Sequence, residues 1–196
     1  MPDKQSYNHE IYRKILHLFY SSSIVLFLWC FGKEAVLPWF IVIAIILSIL
    51  DYGRRHIVVL NRIFVYLFSI FIRPPEHRIL SGASWVVIGA ALTTLIFSES
   101  AAIIGLLVLG ISDSCASLIG IKFGKTQFFK KSLEGSAAFF LSAALIVFTL
   151  SPALFAINIC AVFFATLVEL FSTPRLNDNL FIPITTAFIL NLGGVV

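Results

Sequence analysis

Long apolar stretches separated by short polar connections run through the whole chain. They occupy residues 15–31, 36–50, 57–72, 82–97, 101–121, 136–150, 153–171 and 180–196. A helix of about 20 apolar residues crosses the hydrocarbon core of a bilayer, and continuous apolar stretches are typical of such helices, whereas barrel strands alternate. The pattern predicts an all-α, polytopic transmembrane helical bundle. No polar stretch is long enough for a soluble module, so residues 1–196 are predicted to form a single integral membrane domain.

The stretch 57–72 differs from the others because it contains Asn61 and Arg62. If it lies along the surface or re-enters, the basic residues face one side of the membrane and only Lys33 faces the other. Those basic residues gather in 1–14, 51–56, 73–80 and 122–135 and at Arg175. The positive-inside rule favours this arrangement. We therefore predict about seven crossings plus one interfacial or re-entrant helix, with the N-terminus and the polar connections cytoplasmic and the C-terminus outside.

The composition agrees with a membrane protein, because 59% of the residues are hydrophobic and only 12% are charged. A typical soluble domain has about a quarter charged residues. The basic cytoplasmic connections account for most of the formal net charge of +4, so no nucleic-acid partner is expected. The short chain, in which we recognise no targeting segment, favours a prokaryotic cell membrane. Its apolar outer faces would permit a homodimer.

Asp113 is an acid inside the stretch 101–121, eight residues before its end. At helical rise this places it about 12 Å from the inner edge. A carboxylate at that depth costs several kcal/mol unless it is paired or faces water, so intramembrane acids are candidates for function. A structural pair with a lysine or with the backbone is the alternative. The small neighbours Ser112, Ser114 and Ser117 allow close helix packing or a broken helix.

A second group of oxygen-bearing residues is expected near the same membrane face. Glu169 lies two residues before the end of the stretch 153–171, and Asn177, Asp178 and Asn179 follow it. Magnesium prefers one or two carboxylates together with waters and substrate phosphates. Asp113 and these four residues are therefore the candidate Mg²⁺ ligands.

The connection KFGKTQFFKKSLEGS at 122–136 combines glycines, lysines and hydroxyl groups. Its candidate phosphate-binding residues are Gly124, Lys125, Lys131, Ser132, Glu134, Gly135 and Ser136. Ser132 or Ser136 can cap the next helix, whose free amides and dipole would stabilise a phosphate. The pattern is not a GxxxxGK[ST] loop. An ordinary basic cytoplasmic loop explains the same residues and stays open as the alternative.

The segment EIYRKILH places four polar side chains on one helical face, namely Glu10, Arg13, Lys14 and His17. His17 lies just within the apolar region, where it can accept a proton, bind a phosphate or be packed with its hydrogen bonds satisfied.

The segments DYGRRH at 51–56 and RPPEHR at 73–78 complete the cytoplasmic rim. Arg54 and Arg55 are interpreted as anchors at the end of a crossing, and Glu76 as either structural or catalytic.

Taken together, the order of these motifs resembles the family of CTP-dependent lipid kinases. The matching segments are E-x-x-RK-x-x-H, E-x-x-x-LSGASW, SDSCASLIGIKFGK, KSLEGS and VE…NDNLFIPI, between about residues 10 and 190. The family includes dolichol kinase, phytol kinase and the CTP-using diacylglycerol kinase, and it is distantly related to phosphatidate cytidylyltransferases. It often has Gly-Asp-Ala where this chain has Ser112, Asp113 and Ser114.

The resemblance implies transfer of the γ-phosphate of CTP to the hydroxyl of a membrane lipid alcohol. It implies that Asp113 holds a Mg²⁺ ion with Glu169 or Asp178. Asp113 or His17 would orient or deprotonate the alcohol. Lys14, Lys125 and Lys131, with the amides of residues 134–136, would bind the phosphates, and Lys131 and Glu134 would complete the catalytic set.

Two other functions stay open at this point. A cytidylyltransferase that makes a CDP-lipid would use similar parts, and product analysis would separate it from a kinase. A small ion-coupled transporter would use Asp113 and Glu169 as ion sites near the bilayer centre, but it predicts internal inverted repeats. We find no such repeat in the sequence.

Overall fold

The computed structural model describes residues 4–68, 80–129, 131–173 and 176–195. Its helices are α1 (Lys4–Phe31), α2 (Lys33–His56), α3 (Val58–Phe68), α4 (Gly82–Ile96), α5 (Glu99–Leu107), α6 (Asp113–Phe123), α7 (Leu133–Leu150), α8 (Phe155–Leu170) and α9 (Asp178–Leu192). A π-helical turn, Val108–Ser112, joins α5 to α6. Strands β1 (Gln127–Phe128) and β2 (Lys131–Ser132) form a short antiparallel hairpin. The prediction of an all-α helical bundle is confirmed.

Short polar residues mark where several helices begin. Ser132 accepts the Gly135 N–H at 3.2 Å at the start of α7. Asn177 accepts the Asn179 N–H at 3.0 Å at the start of α9. Such a side chain satisfies a backbone donor that has no partner within the helix. Of the two caps predicted for the helix after the basic loop, Ser132 is the one used.

Contacts between helix ends show an up-and-down bundle. At one end, the Lys33 N–H donates to Glu99 Oε2 at 2.6 Å, and the Ser98 hydroxyl donates to the Val195 carbonyl at 2.6 Å. The turns after α1 and α4 and the end of α9 therefore lie together. The hairpin, the end of α8 and the start of α9 meet at the other end, where Lys131 contacts Glu169.

Four helices are long and apolar enough to cross a membrane, namely Glu10–Phe31, Lys33–His56, Glu99–Phe123 and Leu133–Leu150. Three shorter apolar helices are Gly82–Ile96, Phe155–Leu170 and Asp178–Leu192. The predicted seven crossings count all of these, so that number stays a prediction. Helix α3 has 11 residues, about half the length that a crossing needs. The remainder of the predicted segment 57–72 lies outside the described residues.

The helix formed by α5, the π turn and α6 is the central one. Buried residues make up 61% of its apolar window, against 22 to 28% for the other three long helices. Its buried side chains Ile104, Val108 and Leu109 pack in one core with residues of α7, α8 and α9. Asp113 therefore lies on the element that most of the bundle surrounds.

Arg54 does not act as the exposed anchor that the sequence suggested. Its side chain is buried, its Nε donates to Asp51 Oδ1 at 2.6 Å, and its guanidinium lies 4.2 Å from the centre of the Phe64 ring. Arg55 is exposed. The interpretation failed for Arg54 because an acid one helical turn earlier, Asp51, draws the cation inward. Glu76 lies outside the described residues.

Candidate active site

The first polar cluster joins α1 to the start of α6. The Lys14 ammonium forms a salt bridge with Asp113 Oδ2 and lies 3.4 Å from the Asp113 carbonyl oxygen. Both side chains are 4% exposed. A buried charge is costly unless it is paired, so the Lys14 ammonium and the Asp113 carboxylate each offset the cost of burying the other.

The π turn and a glycine bring α1 against Asp113. A Cβ added at Gly110 would lie 2.5 Å from Ser21 Oγ, so a larger residue would force the two elements apart. Ser21 is on the same helix as Lys14, about two turns further on. A π turn inserts one residue into an α-helix and often occurs at functional sites. Here it comes directly before Asp113.

His17 contributes an imidazole to the same cluster. Its Nδ1 lies 2.7 Å from the Tyr20 hydroxyl, which fixes the orientation of the ring. Its Nε2 is buried without a hydrogen-bond partner and lies 3.6 Å from Asp113 Oδ2. The nitrogen therefore faces the Asp113 carboxylate from a fixed position, and its role as a proton acceptor stays a prediction.

The second polar cluster is centred on Lys131 and joins the hairpin, α8 and α9. Lys131 Nζ lies 2.8 Å from Glu169 Oε1 and 3.3 Å from Asp178 Oδ2. The Ser136 hydroxyl donates to Glu169 Oε2 at 2.9 Å. Both oxygens of Glu169 are thus occupied, and Glu169 is buried. This arrangement holds the lysine in one place.

Electrostatics links the two clusters. Burial by itself lowers the pKa of Lys131, but the carboxylates of Asp178, Asp113 and Glu169 outweigh it and hold that pKa above its ordinary value of 10.5. The lysine therefore carries its charge throughout the physiological range. The Asp113 carboxylate therefore acts on the charge of Lys131, and the joint action of Asp113, Lys131, Glu169 and Asp178 in one site stays a prediction.

The glycines of the basic loop do more packing than the sequence suggested. A Cβ added at Gly135 would lie 2.8 Å from the Ala116 carbonyl oxygen, and one at Gly124 would lie 2.7 Å from Ser132 Oγ. These glycines let α6 and α7 approach closely. The Gly135 N–H is already bonded to Ser132, so phosphate binding by Gly124 and Gly135 stays a prediction with a structural alternative.

Two other residues of the loop have no described hydrogen bond to the lysine-centred cluster. The Glu134 carboxylate accepts the Thr126 N–H at 3.0 Å and ties the beginning of the loop to α7. Lys125 is exposed. A catalytic role for Glu134 stays a prediction, and the contact with Thr126 indicates that it shapes the hairpin.

The arrangement of the acids limits how a metal ion could bind. Among the described residues, no three His, Cys, Asp or Glu side chains form a group that could hold one. Asn177 Oδ1 caps α9 and Asn179 Nδ2 lies 3.4 Å from the Gly82 carbonyl oxygen. Glu169 has both oxygens bonded within the protein. A Mg²⁺ ion that enters with phosphates needs only one or two carboxylates. Both oxygens of Asp178 also have contacts, with the Asn179 N–H at 3.1 Å and with Lys131 Nζ at 3.3 Å. The five candidate Mg²⁺ ligands stay a prediction.

Sequence reasoning missed two features of this end of the bundle. Tyr20 fixes His17, and its spacing of one helical turn was the available signal. Asp51 accepts the Ser81 N–H at 2.7 Å and the Ser84 hydroxyl at 2.6 Å. It thereby fixes the start of α4. The LSGASW segment gave no hint of this distant partner.

Comparisons with known proteins place the chain in a family. Uncharacterized protein MJ1137 of Methanocaldococcus jannaschii is 30% identical over 188 residues, which are 93% of this chain and 93% of that protein. Uncharacterized protein RP860 of Rickettsia prowazekii is 34% identical over 192 residues, 92% of this chain and 93% of that protein. The chain belongs to the same family as these two proteins. No family model and no solved structure matches it.

A third relative of this family member has a named activity. CTP-dependent diacylglycerol kinase 1 of Saccharomyces cerevisiae is 33% identical over 141 residues, which are 67% of this chain and 47% of that enzyme. The matched part of the chain spans about half of that enzyme's length.

Proposed function

We propose that this protein is a CTP-dependent lipid kinase. It transfers the γ-phosphate of CTP to the hydroxyl of a membrane lipid alcohol, which is a polyprenol or dolichol, a phytol-like isoprenoid or diacylglycerol. The observation that carries the proposal is the similarity to CTP-dependent diacylglycerol kinase 1 over two thirds of the chain. Two adjoining clusters of buried charge at one end of an apolar bundle support it.

The lysine-centred cluster is suited to the phosphate donor. Lys131 is held by Glu169 and Asp178 and its side chain is 25% exposed, so it can meet a ligand without moving far. A cation fixed in advance stabilises the charge of a phosphoryl group at little cost in reorganisation. Phosphoryl transfer depends chiefly on such positioning and charge neutralisation. Lys131 therefore binds the phosphates, and Glu169 and Ser136 are positioning residues.

The cluster around Asp113 is suited to the acceptor. Among the residues that the structure describes, His17 Nε2 has no hydrogen-bond partner, whereas the Asp113 carboxylate is held by Lys14. A base must come within hydrogen-bond reach of the proton that it accepts. The lipid hydroxyl therefore lies beside this pair, within hydrogen-bond reach of both His17 Nε2 and Asp113, with its tail between the helices.

In the transfer step, the alcohol oxygen bonds to the γ-phosphorus of CTP. The bond from that phosphorus to the β–γ bridging oxygen breaks, and CDP leaves with the bonding electron pair. The hydroxyl proton passes to His17 Nε2. A magnesium ion bound with the nucleotide would neutralise phosphate charge, with Asp113 and Asp178 as its protein ligands.

The proposal is tested with purified protein, CTP labelled at the γ-phosphate and an extract of membrane lipids. The expected result is a labelled lipid and release of CDP. Release of pyrophosphate with a CDP-lipid would instead identify a cytidylyltransferase. If a folded protein labels no prenol or diacylglycerol and releases neither CDP nor pyrophosphate, both reactions are contradicted.

A further inference from the structure

Three phenylalanine rings form an exposed cluster beside Lys131 that the proposed phosphate and alcohol sites do not use. Phe128 and Phe129 belong to the hairpin, and Phe171 follows the end of α8. Their ring centres are 4.9 Å apart for Phe128 and Phe129, 6.0 Å for Phe128 and Phe171, and 5.8 Å for Phe129 and Phe171. We call these three residues the phenylalanine cluster.

The phenylalanine cluster lies directly next to the phosphate-binding lysine. Phe128 and Lys131 are paired across the two strands, so their side chains stand on the same face of the hairpin. Phe171, which contacts Phe128, lies two positions after Glu169, which holds Lys131. The hairpin thus contacts the end of α8 twice, once through charge and once through aromatic rings.

The backbone at Phe129 is unusual for so large a residue. Phe129 has a φ of 53°, in the left-handed region that bulky side chains rarely adopt. Two-residue hairpin turns normally place Asn or Gly at such positions. In this chain the position instead presents a phenyl ring that is 77% exposed. A costly backbone conformation that displays an aromatic ring indicates that the ring has a use.

We propose that the phenylalanine cluster stacks the pyrimidine base of the nucleotide whose phosphates Lys131 binds, with Phe129 as the main platform. This inference rests on the proposed function. A nucleotide has an aromatic base joined to an anionic phosphate tail, and the hairpin offers an aromatic surface joined to a fixed cation. Lys125, also exposed on this loop, adds positive charge on the approach to it. Aromatic stacking accepts any base, so the cluster supplies affinity rather than the choice of cytosine.

The test compares two ligands that differ only in the group that the cluster would hold. Binding of CTP and of inorganic tripolyphosphate is measured by calorimetry on the full chain in lipid nanodiscs. Phe129→Gly removes the ring and suits the backbone, because glycine adopts a positive φ without strain. We expect Phe129→Gly to weaken CTP binding about 5- to 150-fold, the range of one base–aromatic stack. Tripolyphosphate binding should stay as in the wild type, and Phe129→Trp should restore CTP binding.

Phe155→Ala is the matched control, because Phe155 is 73% exposed at the start of α8, at the opposite end of that helix from Phe171. It should change neither affinity. Equal weakening of both ligands by Phe129→Gly would overturn the proposal, because the ring would then only position Lys131. Unchanged CTP binding, with a changed dependence on the nanodisc lipid, would overturn it in favour of a membrane-interface anchor. If the wild type transfers phosphate from CTP and Phe129→Gly binds CTP equally well, the stacking proposal is refuted and the kinase proposal stands. If the wild type binds no CTP, both the stacking proposal and the proposed kinase function are refuted.

Discussion

Lys131 Nζ lies 2.8 Å from Glu169 Oε1, although 38 residues separate the two in sequence. Lys131 is in the hairpin between α6 and α7, and Glu169 is in the last turn of α8. The contact fixes the hairpin against the end of α8.

Glu169→Gln should lower kcat/KM for CTP. The substitution removes the charge that holds Lys131 but keeps an oxygen for Ser136. A hydrogen bond to a charged group contributes about 1.5–3 kcal/mol, so the expected loss is about 10- to 150-fold, most of it in KM for CTP. Steady-state kinetics over a range of CTP concentrations measure it. Glu34→Gln, at an exposed glutamate in the first turn of α2, is the control and should leave both constants unchanged.

Asp113→Asn should abolish transfer and also destabilise the fold, because it leaves the Lys14 ammonium buried without its partner. Breaking a buried ion pair on one side costs about 3–5 kcal/mol. The double variant Lys14→Met with Asp113→Asn should recover most of that stability and none of the activity. Thermal unfolding in detergent and phosphate transfer are measured on the same samples. If the double variant regains activity, the pair is purely structural.

His17→Gln should lower kcat about 10²- to 10⁴-fold, the usual contribution of a general base. Glutamine can place an oxygen near the position of Nε2, but it cannot take up a proton. KM for CTP should stay within about threefold of the wild type, because His17 does not contact the lysine-centred cluster in any described hydrogen bond. Tyr20→Phe should have a smaller effect in the same direction. A normal kcat in His17→Gln would assign proton acceptance to Asp113.

The ion pairs of Lys131 should stabilise the protein from neutral pH to about pH 10. The pKa of Lys131 is raised on folding above 10.5, because nearby carboxylates outweigh its burial. A raised pKa adds stability that is complete below the unfolded-state pKa and disappears as the pH rises through the folded-state pKa. The difference in the free energy of unfolding between wild type and Lys131→Met should therefore be constant between pH 7 and pH 9. This range lies more than about one pH unit below the pKa of an unfolded-state lysine. The difference should shrink above about pH 10.5. A difference that already falls between pH 7 and pH 9 would contradict the raised pKa.

A reporter joined to the C-terminus should lie outside the cytoplasm. This follows from seven crossings with a cytoplasmic N-terminus, and the contact of Ser98 with Val195 puts the end of the chain at the bundle end opposite Lys131. Alkaline phosphatase fused there should be active in a bacterial host, and a fusion at the 124–132 connection should be inactive. The reverse pattern would refute both the orientation and the cytoplasmic site.

The sequence by itself determined the helical class and most of the membrane-embedded segments. Apolar stretches long enough to cross a bilayer can satisfy their backbone only as helices, so their positions are readable without the fold. It also singled out Asp113, since an acid in such a stretch needs a partner. It did not show that the partner is Lys14, 99 residues away.

Tertiary packing decided which polar groups meet. Arg54 is paired with Asp51 inside the bundle, and Glu169 has Lys131 and Ser136 as its partners. These outcomes depend on how helices are rotated about their axes and how closely glycines let them approach. Local sequence patterns specify neither quantity, because each results from the summed packing of residues far apart in the chain.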